Sequence, residues 1–412
     1  MNVEIITIGD ELLIGQVIDT NSAWMAQALN KIGFEVKNMV TVGDNEKDIE
    51  KAFDRALLRS SIVLVTGGIG PTKDDITKKI LCKYFDCSLR FDGEVLKNME
   101  ELFTRSGREI NPLTYGQAYV PDASTVIQNK LGTAPATWFE CDGKVLISMP
   151  GVPSEMKWLM ENEILSRLKA TFKQDLYIQH KTYWVEGYTE SALAMHLDEF
   201  EKDLPGNIHL AYLPDLGLIR LRLTGKDENE QALSEAMQTQ AAKLQAAIGE
   251  KILTEEDKPI ESVLGKLLTQ KSLTLGIAES CTGGNIAHTL TTVPGSSQYF
   301  NGAIIAYSNE VKISLLKVSP ADLDKEGAVS ETVVTQMAQG VQTALRTDCS
   351  IATSGIAGPD GGTAEKPTGT VYIAVAYRDK IISQKFSFGF SREQIIQRAT
   401  NAALLMLYKL IK

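Results

Sequence analysis

The stretch Leu273-Thr-Leu-Gly-Ile-Ala-Glu-Ser-Cys-Thr-Gly-Gly284 decides how the chain reads: an apolar run, then a hydroxyl, a thiol and two glycines, then Asn285-Ile-Ala-His-Thr-Leu290. The apolar run predicts a buried strand over 273–278, and the final run predicts the start of a helix. A strand passing through a glycine turn into a helix is the building unit of an α/β sheet, whose strand ends are where ligands collect. The first N–H groups of a helix lack internal partners, so here they would be available to an oxyanion or a phosphate beside Ser280 or Cys281. The same residues also suit a plain capped turn, with Ser280 or Thr282 bonding backbone. Partners elsewhere in the chain must decide.

Outward from this turn the alternation continues. Strands are predicted at 300–307, 350–354, 370–377 and 381–388, with helices at 260–270, 331–345 and 392–410. The first part of the chain alternates likewise, with strands at 3–8, 35–42, 62–66 and 145–149, helices at 21–32 and 47–60, and a long closing helix over 154–172. Right-handed crossovers and a mostly parallel sheet follow from that order. Between them the pattern changes to strand 180–186, helix 190–200, a hairpin of 208–213 and 218–224 about Pro214-Asp-Leu-Gly217, and helix 228–248, a small two-layer α+β unit. A length of 412 residues suits such a division, since domains run to about 100 to 200 residues. The expected segments are 1–172, 173–255 and 256–412.

A formal net charge of −10 argues against a nucleic-acid binder. The five cysteines, Cys82, Cys87, Cys141, Cys281 and Cys349, form no CxxC pair, which argues for a reducing compartment without a disulfide framework or zinc ribbon. No basic start with a long apolar core opens the chain, and no run approaches about eighteen apolar residues, so a cytoplasmic protein is expected.

The strand-end loops of the first segment carry acid: Gly9-Asp-Glu-Leu-Leu-Ile-Gly-Gln-Val-Ile-Asp-Thr-Asn21, Gly43-Asp44 and Gly67-Gly-Ile-Gly-Pro-Thr-Lys-Asp-Asp-Ile-Thr77. Asp10, Glu11, Asp19, Asp44, Asp74 and Asp75 are candidate oxygen ligands for a hard divalent cation. Gly67, Gly68 and Gly70 would let backbone amides approach a phosphate, with Thr72 and Asn21 beside them. Alternatively Asp19 or Asn21, and Asp74 or Asp75, are helix N-caps.

In the last segment a nucleophilic serine needs a base. His180, His196 and His209 lie in the middle segment, and His288 sits in the helix after the turn, from which it cannot easily reach Ser280. Tyr307 and Lys312 do better, because Ala306-Tyr-Ser-Asn-Glu-Val-Lys312 follows a strand end, and a desolvated lysine can act as base. Each alone also reads as an ordinary residue, a half-buried strand tyrosine and a solvated helix lysine. The loop Ser354-Gly-Ile-Ala-Gly-Pro-Asp-Gly-Gly362 suits backbone approach to a sugar phosphate through Gly355, Gly358 and Gly361. Arg392 opens the final helix on the side of Ile395, Ile396 and Ala399, a placement suited to phosphate, whereas Arg398 shares a polar face and is expected to meet solvent. Cys281 rivals Ser280, since a thiolate at a helix start would have a lowered pKa.

These motifs, with Gly132-Thr-Ala-Pro135, Pro150-Gly-Val-Pro-Ser-Glu-Met156 and Gly327-Ala-Val-Ser330, resemble those of the CinA family along nearly the whole chain. The resemblance implies an amino-terminal three-layer domain similar to molybdopterin-binding domains, a small KH-like α+β domain, and a carboxy-terminal α/β CinA domain. For the first it implies hydrolysis of ADP-ribose with a divalent metal (Mg²⁺, Mn²⁺ or Co²⁺), with pterin binding as the competing reading. Ala136 departs from the family's usual Pro-Gly continuation, and a changed approach of that loop to the ligand is expected. The middle segment shows no Gly-x-x-Gly loop of nucleic-acid-binding KH domains. For the last domain the resemblance implies deamidation of nicotinamide mononucleotide without a cofactor, Ser280 as nucleophile, Tyr307 and Lys312 assisting, and Arg392 in binding or catalysis. Thr282, Gly283 and Gly284 are expected at the substrate, and the whole as a homodimer without membrane or nucleic-acid partners. A pterin- or nucleotide-binding, competence-associated protein without turnover is the alternative.

Overall fold

The computed structural model describes residues 1–72, 75–173, 176–215, 218–389 and 391–412. The chain begins β1 (Asn2–Ile8), α1 (Asp10–Leu13), α2 (Thr20–Lys31), β2 (Glu35–Val42), α3 (Glu46–Arg59), β3 (Ile62–Thr66), α4 (Thr77–Tyr84), β4 (Leu89–Phe91), α5 (Gly93–Ser106), α6 (Pro112–Tyr115), β5 (Tyr119–Pro121), β6 (Thr125–Ile127), β7 (Ala136–Cys141), β8 (Lys144–Met149), α7 (Pro153–Leu159) and α8 (Leu165–Thr171). Every residue of β1 from Val3 onward and all of β3 are buried, as parallel strands covered on both faces require. The sheet order is β2-β1-β3-β8-β7-β6. Its first four strands are parallel and the last two run antiparallel.

Alternate residues of the strands supply two cores. Val3, Ile5, Ile62, Leu64 and Ile147 pack beneath α2 and α7, and Ile6, Ile8, Val63, Val65 and Leu146 beneath α3 and α4. This is the expected three-layer arrangement. The stretch after α4, rich in turn residues and given no element by the sequence pattern, contains α5 and the β6 to β7 hairpin. Ala136 is fully buried at the start of a strand, paired with Ile127. The helix expected over 154–172 runs through α7 and α8 with a wider π turn at Met160–Ile164 between them.

The middle of the chain holds β9 (Tyr177–Val185), α9 (Glu190–His196), α10 (Asp198–Lys202), β10 (Ile208–Asp215), β11 (Leu218–Asp227), α11 (Glu230–Ile248) and β12 (Ile252–Thr254), with sheet order β10-β11-β9-β12. The helix expected over 190–200 is broken at Leu197, and Leu216 and Gly217 of the expected hairpin turn lie outside the described residues. The described chain divides into two compact units, Met1–Gln179 with Thr224–Gln238, and His180–Leu223 with Thr239–Lys412, which share the middle segment.

The last part comprises α12 (Ile260–Gln270), β13 (Leu275–Glu279), α13 (Asn285–Thr291), β14 (Phe300–Ile305), α14 (Asn309–Leu316), α15 (Pro320–Glu326), α16 (Glu331–Leu345), β15 (Cys349–Gly355), β16 (Thr370–Tyr377), β17 (Lys380–Ser387) and α17 (Arg392–Ile411). The sheet order is β14-β13-β15-β16-β17, parallel over the first three strands and antiparallel over the last three. Leu275, Ile277, Ile351 and Ile373 face α12 and α17; Ala278, Ala352 and Ala374, small enough to let a helix approach, face α16. Two strand ends differ from expectation. The strand β13 extends to Glu279, and β14 stops at Ile305, leaving Tyr307 beyond the sheet. Among the described residues no helix is long and apolar enough to cross a membrane.

Candidate active sites

At the carboxy-terminal turn the decisive residue is one that sequence reasoning passed over. Glu279 is fully buried at the end of β13. Its carboxylate accepts from the backbone N–H groups of Gly284 (3.0 Å), Ile286 (3.1 Å) and Ala287 (2.9 Å), and the N–H of Asn285 donates to the carbonyl of Thr282 at 3.0 Å. The helix amides expected to be open to an oxyanion or phosphate are thus taken. The Gly284 amide is spent, and Gly283 donates to the Ser280 carbonyl at 3.2 Å, so both glycines shape the turn.

Ser280 is fixed by its own N–H, which donates to the Thr353 carbonyl at 3.0 Å. Thr282, expected at the substrate, is buried and shares a 2.8 Å hydrogen bond with the Thr353 hydroxyl. Cys281 packs into the core with Leu275, Ile277 and Ile286. Burial pushes its thiol up to about 12, against the lowered value expected at a helix start. Burial and a raised thiol both weigh against Cys281 as a nucleophile.

Lys312 comes to Ser280. It sits in the first turns of α14, whose N-cap Ser308 accepts from the Val311 N–H. The residue is 1% exposed, and its Nζ lies 3.2 Å from Ser280 Oγ, 2.8 Å from the Ala306 carbonyl and 3.3 Å from the Tyr307 carbonyl. Burial holds the amine below the ordinary lysine value. In its neutral form two N–H bonds satisfy the carbonyls and the lone pair meets the serine hydroxyl.

Tyr307 is 63% exposed, and its hydroxyl accepts from Arg392 Nη2 at 3.2 Å. Arg392 Nη1 donates to the Gly358 carbonyl at 2.6 Å. Arg392 is an exposed residue, contrary to its expected inward placement, because this pair of acceptors draws the guanidinium along the surface; Arg398, expected in solvent, is half-buried. Gly355 closes β15, while Gly358 and Gly361 follow in the loop that Arg392 ties down.

The amino-terminal site is a cleft of about 400 Å³. Asn21, Gly67, Gly68, Gly70, Glu11, Asp19 and Asp75 line it. Gly67 has a φ of +109° and lies so close to β1 that a β-carbon would stand 2.1 Å from the Ile8 carbonyl oxygen, so only glycine fits there. Asp19 caps α2, accepting from the Ser22 N–H at 2.9 Å and its hydroxyl at 2.5 Å. Asp75 is not a helix cap: it accepts from the N–H (2.8 Å) and hydroxyl (2.6 Å) of Thr72, bracing the glycine loop. Asp74 lies outside the described residues.

Asp10 and Asp44 clasp each other's backbone, with N–H to carboxylate distances of 3.0 and 3.1 Å. Burial, with repulsion from Asp10, Glu11 and Asp75, raises Asp44 above the usual carboxylate value against the pull of that backbone bond. A cation relieves such a field, and the donors are the hard oxygens that Mg²⁺ and its like prefer. Among the described residues no three His, Cys, Asp or Glu side chains converge tightly enough to hold an ion by themselves. A cation on one or two of these carboxylates would complete its shell with phosphate oxygens and water.

Family models match three consecutive segments: one described as a probable molybdopterin binding domain over residues 4–170, the damage-inducible protein CinA KH domain over 180–253, and the CinA C-terminal domain over 257–411. A CinA-like protein of Flavobacterium psychrophilum is 45% identical over 411 residues, covering 99% of this chain and 98% of that protein. One of Cytophaga hutchinsonii is 41% identical over 409 residues, with 99% and 98% covered. A solved CinA superfamily protein of Klebsiella pneumoniae is 32% identical over 37% of this chain and 95% of its own, at a TM-score of 0.36. With likeness of that strength running from end to end, the chain belongs to the CinA family.

Proposed function

We propose that the carboxy-terminal site hydrolyses the carboxamide of nicotinamide mononucleotide to nicotinate mononucleotide and ammonia. The observation that carries this reading is the buried Lys312 amine against Ser280 Oγ, with only carbonyls as its other partners. Neutral Lys312 takes the serine proton as Oγ attacks the amide carbon. The ammonium so formed returns that proton to the departing amine, releasing ammonia and leaving an ester on Ser280. Lys312 then deprotonates a water that attacks the ester, and the proton passes back to Ser280 as nicotinate mononucleotide leaves. The positive charge created on Lys312 stands beside the developing oxyanion. Since Arg392 donates to the Tyr307 oxygen, the phenolic O–H remains free to donate to substrate.

For the amino-terminal cleft we infer metal-assisted hydrolysis of the ADP-ribose pyrophosphate. Asp10, Glu11, Asp44 and Asp75 are the residues to hold a divalent cation, which when bound neutralises charge on the bridging phosphates. The chain's own part is to present the amides of 68–70 to a phosphate, the Gly67 N–H being held by the Met149 carbonyl, and to keep the carboxylates apart. The likeness of residues 4–170 to molybdopterin-binding domains favours a second reading, pterin binding without turnover.

Purified chain incubated with each substrate, with and without chelator, tests both readings. Ammonia release from nicotinamide mononucleotide is expected to survive chelation, and ADP-ribose cleavage to stop. Loss of both on chelation, or absence of either activity with metal present, overturns the corresponding assignment. The functional form is proposed to be a cytoplasmic homodimer.

A further inference from the structure

The loop from Ile356 to Gly369 joins β15 to β16. It leaves β15 at Gly355, two residues past the Thr353 carbonyl that holds the Ser280 N–H. Its base is closed by backbone: the Ile356 N–H donates to the Thr370 carbonyl at 2.8 Å, and the Gly369 N–H to the Ile356 carbonyl at 2.7 Å. Above the base its two limbs touch. A β-carbon on Gly358 would stand 2.5 Å from Thr368 Cγ2, and the Thr368 hydroxyl donates to the Pro359 carbonyl at 3.4 Å. Gly358 is buried, whereas residues 359–365 are exposed. A long connection with a solvated tip keeps one position only where side chains tie it to the scaffold.

Two cations do so. Arg392 holds the first limb through the Gly358 carbonyl, its only backbone partner among the described residues. Lys366 holds the second: it is half-buried, and its Nζ donates to the Glu326 carbonyl at 2.6 Å. Glu326 ends α15, where carbonyls lack helical partners and the helix dipole is negative, so an ammonium caps it well. The Lys366 backbone is itself locked, since its N–H donates to Thr363 Oγ1 at 3.0 Å and its carbonyl accepts from the Thr363 N–H at 2.9 Å. The anchor is fixed in turn. Two residues past Glu326, the Ala328 carbonyl accepts from Ser354 Oγ at 2.6 Å. Lys366 therefore ties the loop back to the strand that holds Ser280, while Gly358 reaches out to the exposed pair Arg392 and Tyr307.

We propose that Lys366 is a positioning residue for the carboxy-terminal site: by holding the loop to the end of α15 it sets the Gly358 carbonyl, and through it the Arg392 guanidinium that meets the substrate's phosphate. This role rests on the deamidase reading above. Lys366 itself touches neither substrate nor reacting atoms. Loss of its tie frees the second limb, and the contact of Thr368 with Gly358 passes the shift to the first. Arg392 then loses the acceptor that directs it onto Tyr307. Ser280 and Lys312 are unaffected, because their contacts run to the carbonyls of Thr353, Ala306 and Tyr307 and to each other.

Steady-state deamidation of nicotinamide mononucleotide by the full-length Lys366→Met variant, which loses the charge and keeps the stem, tests the assignment. KM is expected to rise about tenfold, the scale of one hydrogen bond to a charged group, with kcat kept within about twofold. In an Arg392→Ala background the same substitution is expected to add less than about twofold, because the loop then has nothing to position. An unchanged KM overturns the proposal. So does a fall in kcat alone, or an effect that simply multiplies that of Arg392→Ala. Thermal unfolding of Lys366→Met is expected to match that of the unaltered chain; a variant that fails to fold makes Lys366 structural and overturns the positioning role as well. Should the unaltered chain release no ammonia, the deamidase reading falls, and calorimetric affinity for nicotinamide mononucleotide replaces KM in the same comparison. Weaker binding by Lys366→Met that vanishes in the Arg392→Ala background then keeps the positioning role, equal affinities remove it, and absence of binding removes both.

Discussion

The two candidate sites of this chain solve the problem of a carboxylate at a strand end in opposite ways. At the carboxy-terminal turn Glu279 is wholly buried and three backbone amides satisfy it, so its charge is settled within the fold. At the amino-terminal strand ends Asp10, Glu11 and Asp75 lie near enough to Asp44 for their repulsion to add to burial in raising its carboxyl. The first site is complete as it stands. The second keeps repulsion among its carboxylates, which a bound cation would relieve. Acidic strand ends therefore do not identify a metal site until the destination of each oxygen is known.

The sharpest way to break this contrast is at Ser280. Ser280→Ala is expected to lower deamidation by about 10²-fold or more, as for loss of a catalytic group, with ADP-ribose hydrolysis intact. Parallel assays on both substrates check it, and equal loss of the two would dissolve the distinction between sites. The pH profile probes the same lysine. The proposed deamidation requires neutral Lys312, so kcat/KM is expected to fall up to about tenfold per unit as pH drops below that amine's depressed pKa and to rise with pH through it. A flat acid limb would exclude Lys312 as the base.

The acidic side is tested by Asp75→Asn, which removes charge and keeps size. It is expected to reduce ADP-ribose hydrolysis by about tenfold while leaving deamidation unchanged, since both bonds from Thr72 meet one oxygen and can persist on the amide oxygen. Full retained activity would make Asp75 a brace of the loop alone. Glu279→Gln is a milder disturbance: its NH₂ must face one of the three amides, so a stability loss of about 1–3 kcal/mol is expected by denaturant titration. An unchanged midpoint would contradict a settled buried charge. The smallest effect belongs to Cys281→Ala, expected to keep most deamidation, with iodoacetamide modifying exposed Cys141 first when peptides are mapped.

Much of this was legible before any coordinates. Apolar runs bounded by glycine turns gave the parallel strands, because burial on both faces leaves so strong a pattern. The meeting of Ser280 with Lys312 followed from both lying just past strand ends. What could not be read depended on where single atoms point. Glu279 drew no reading of its own because nothing local says that the chain folds three amides back onto it. An acidic residue just before a glycine turn and a helix is the one signal that was present. Asp75 resembled a helix cap by spacing, yet it bonds upstream to Thr72. Glu155 and Asn129 lie 26 residues apart, and their bond forms only because the fold sets α7 against the loop before β7. The β6 to β7 hairpin escaped because its strands are short and sit among turn residues.

The settled charge of Glu279 also gives the nucleophile's surroundings a direction. The amides from Gly284 to Ala287 already have acceptors, and a negative charge lies behind them. An anionic group entering there meets neither an open donor nor a favourable field, while an uncharged carboxamide meets no such opposition. On the proposed reading, a nucleotide would enter tail-outward, with its phosphate toward Arg392 and its amide toward Ser280. Phosphate or sulfate in a buffer has no seat at the start of α13 from which to compete.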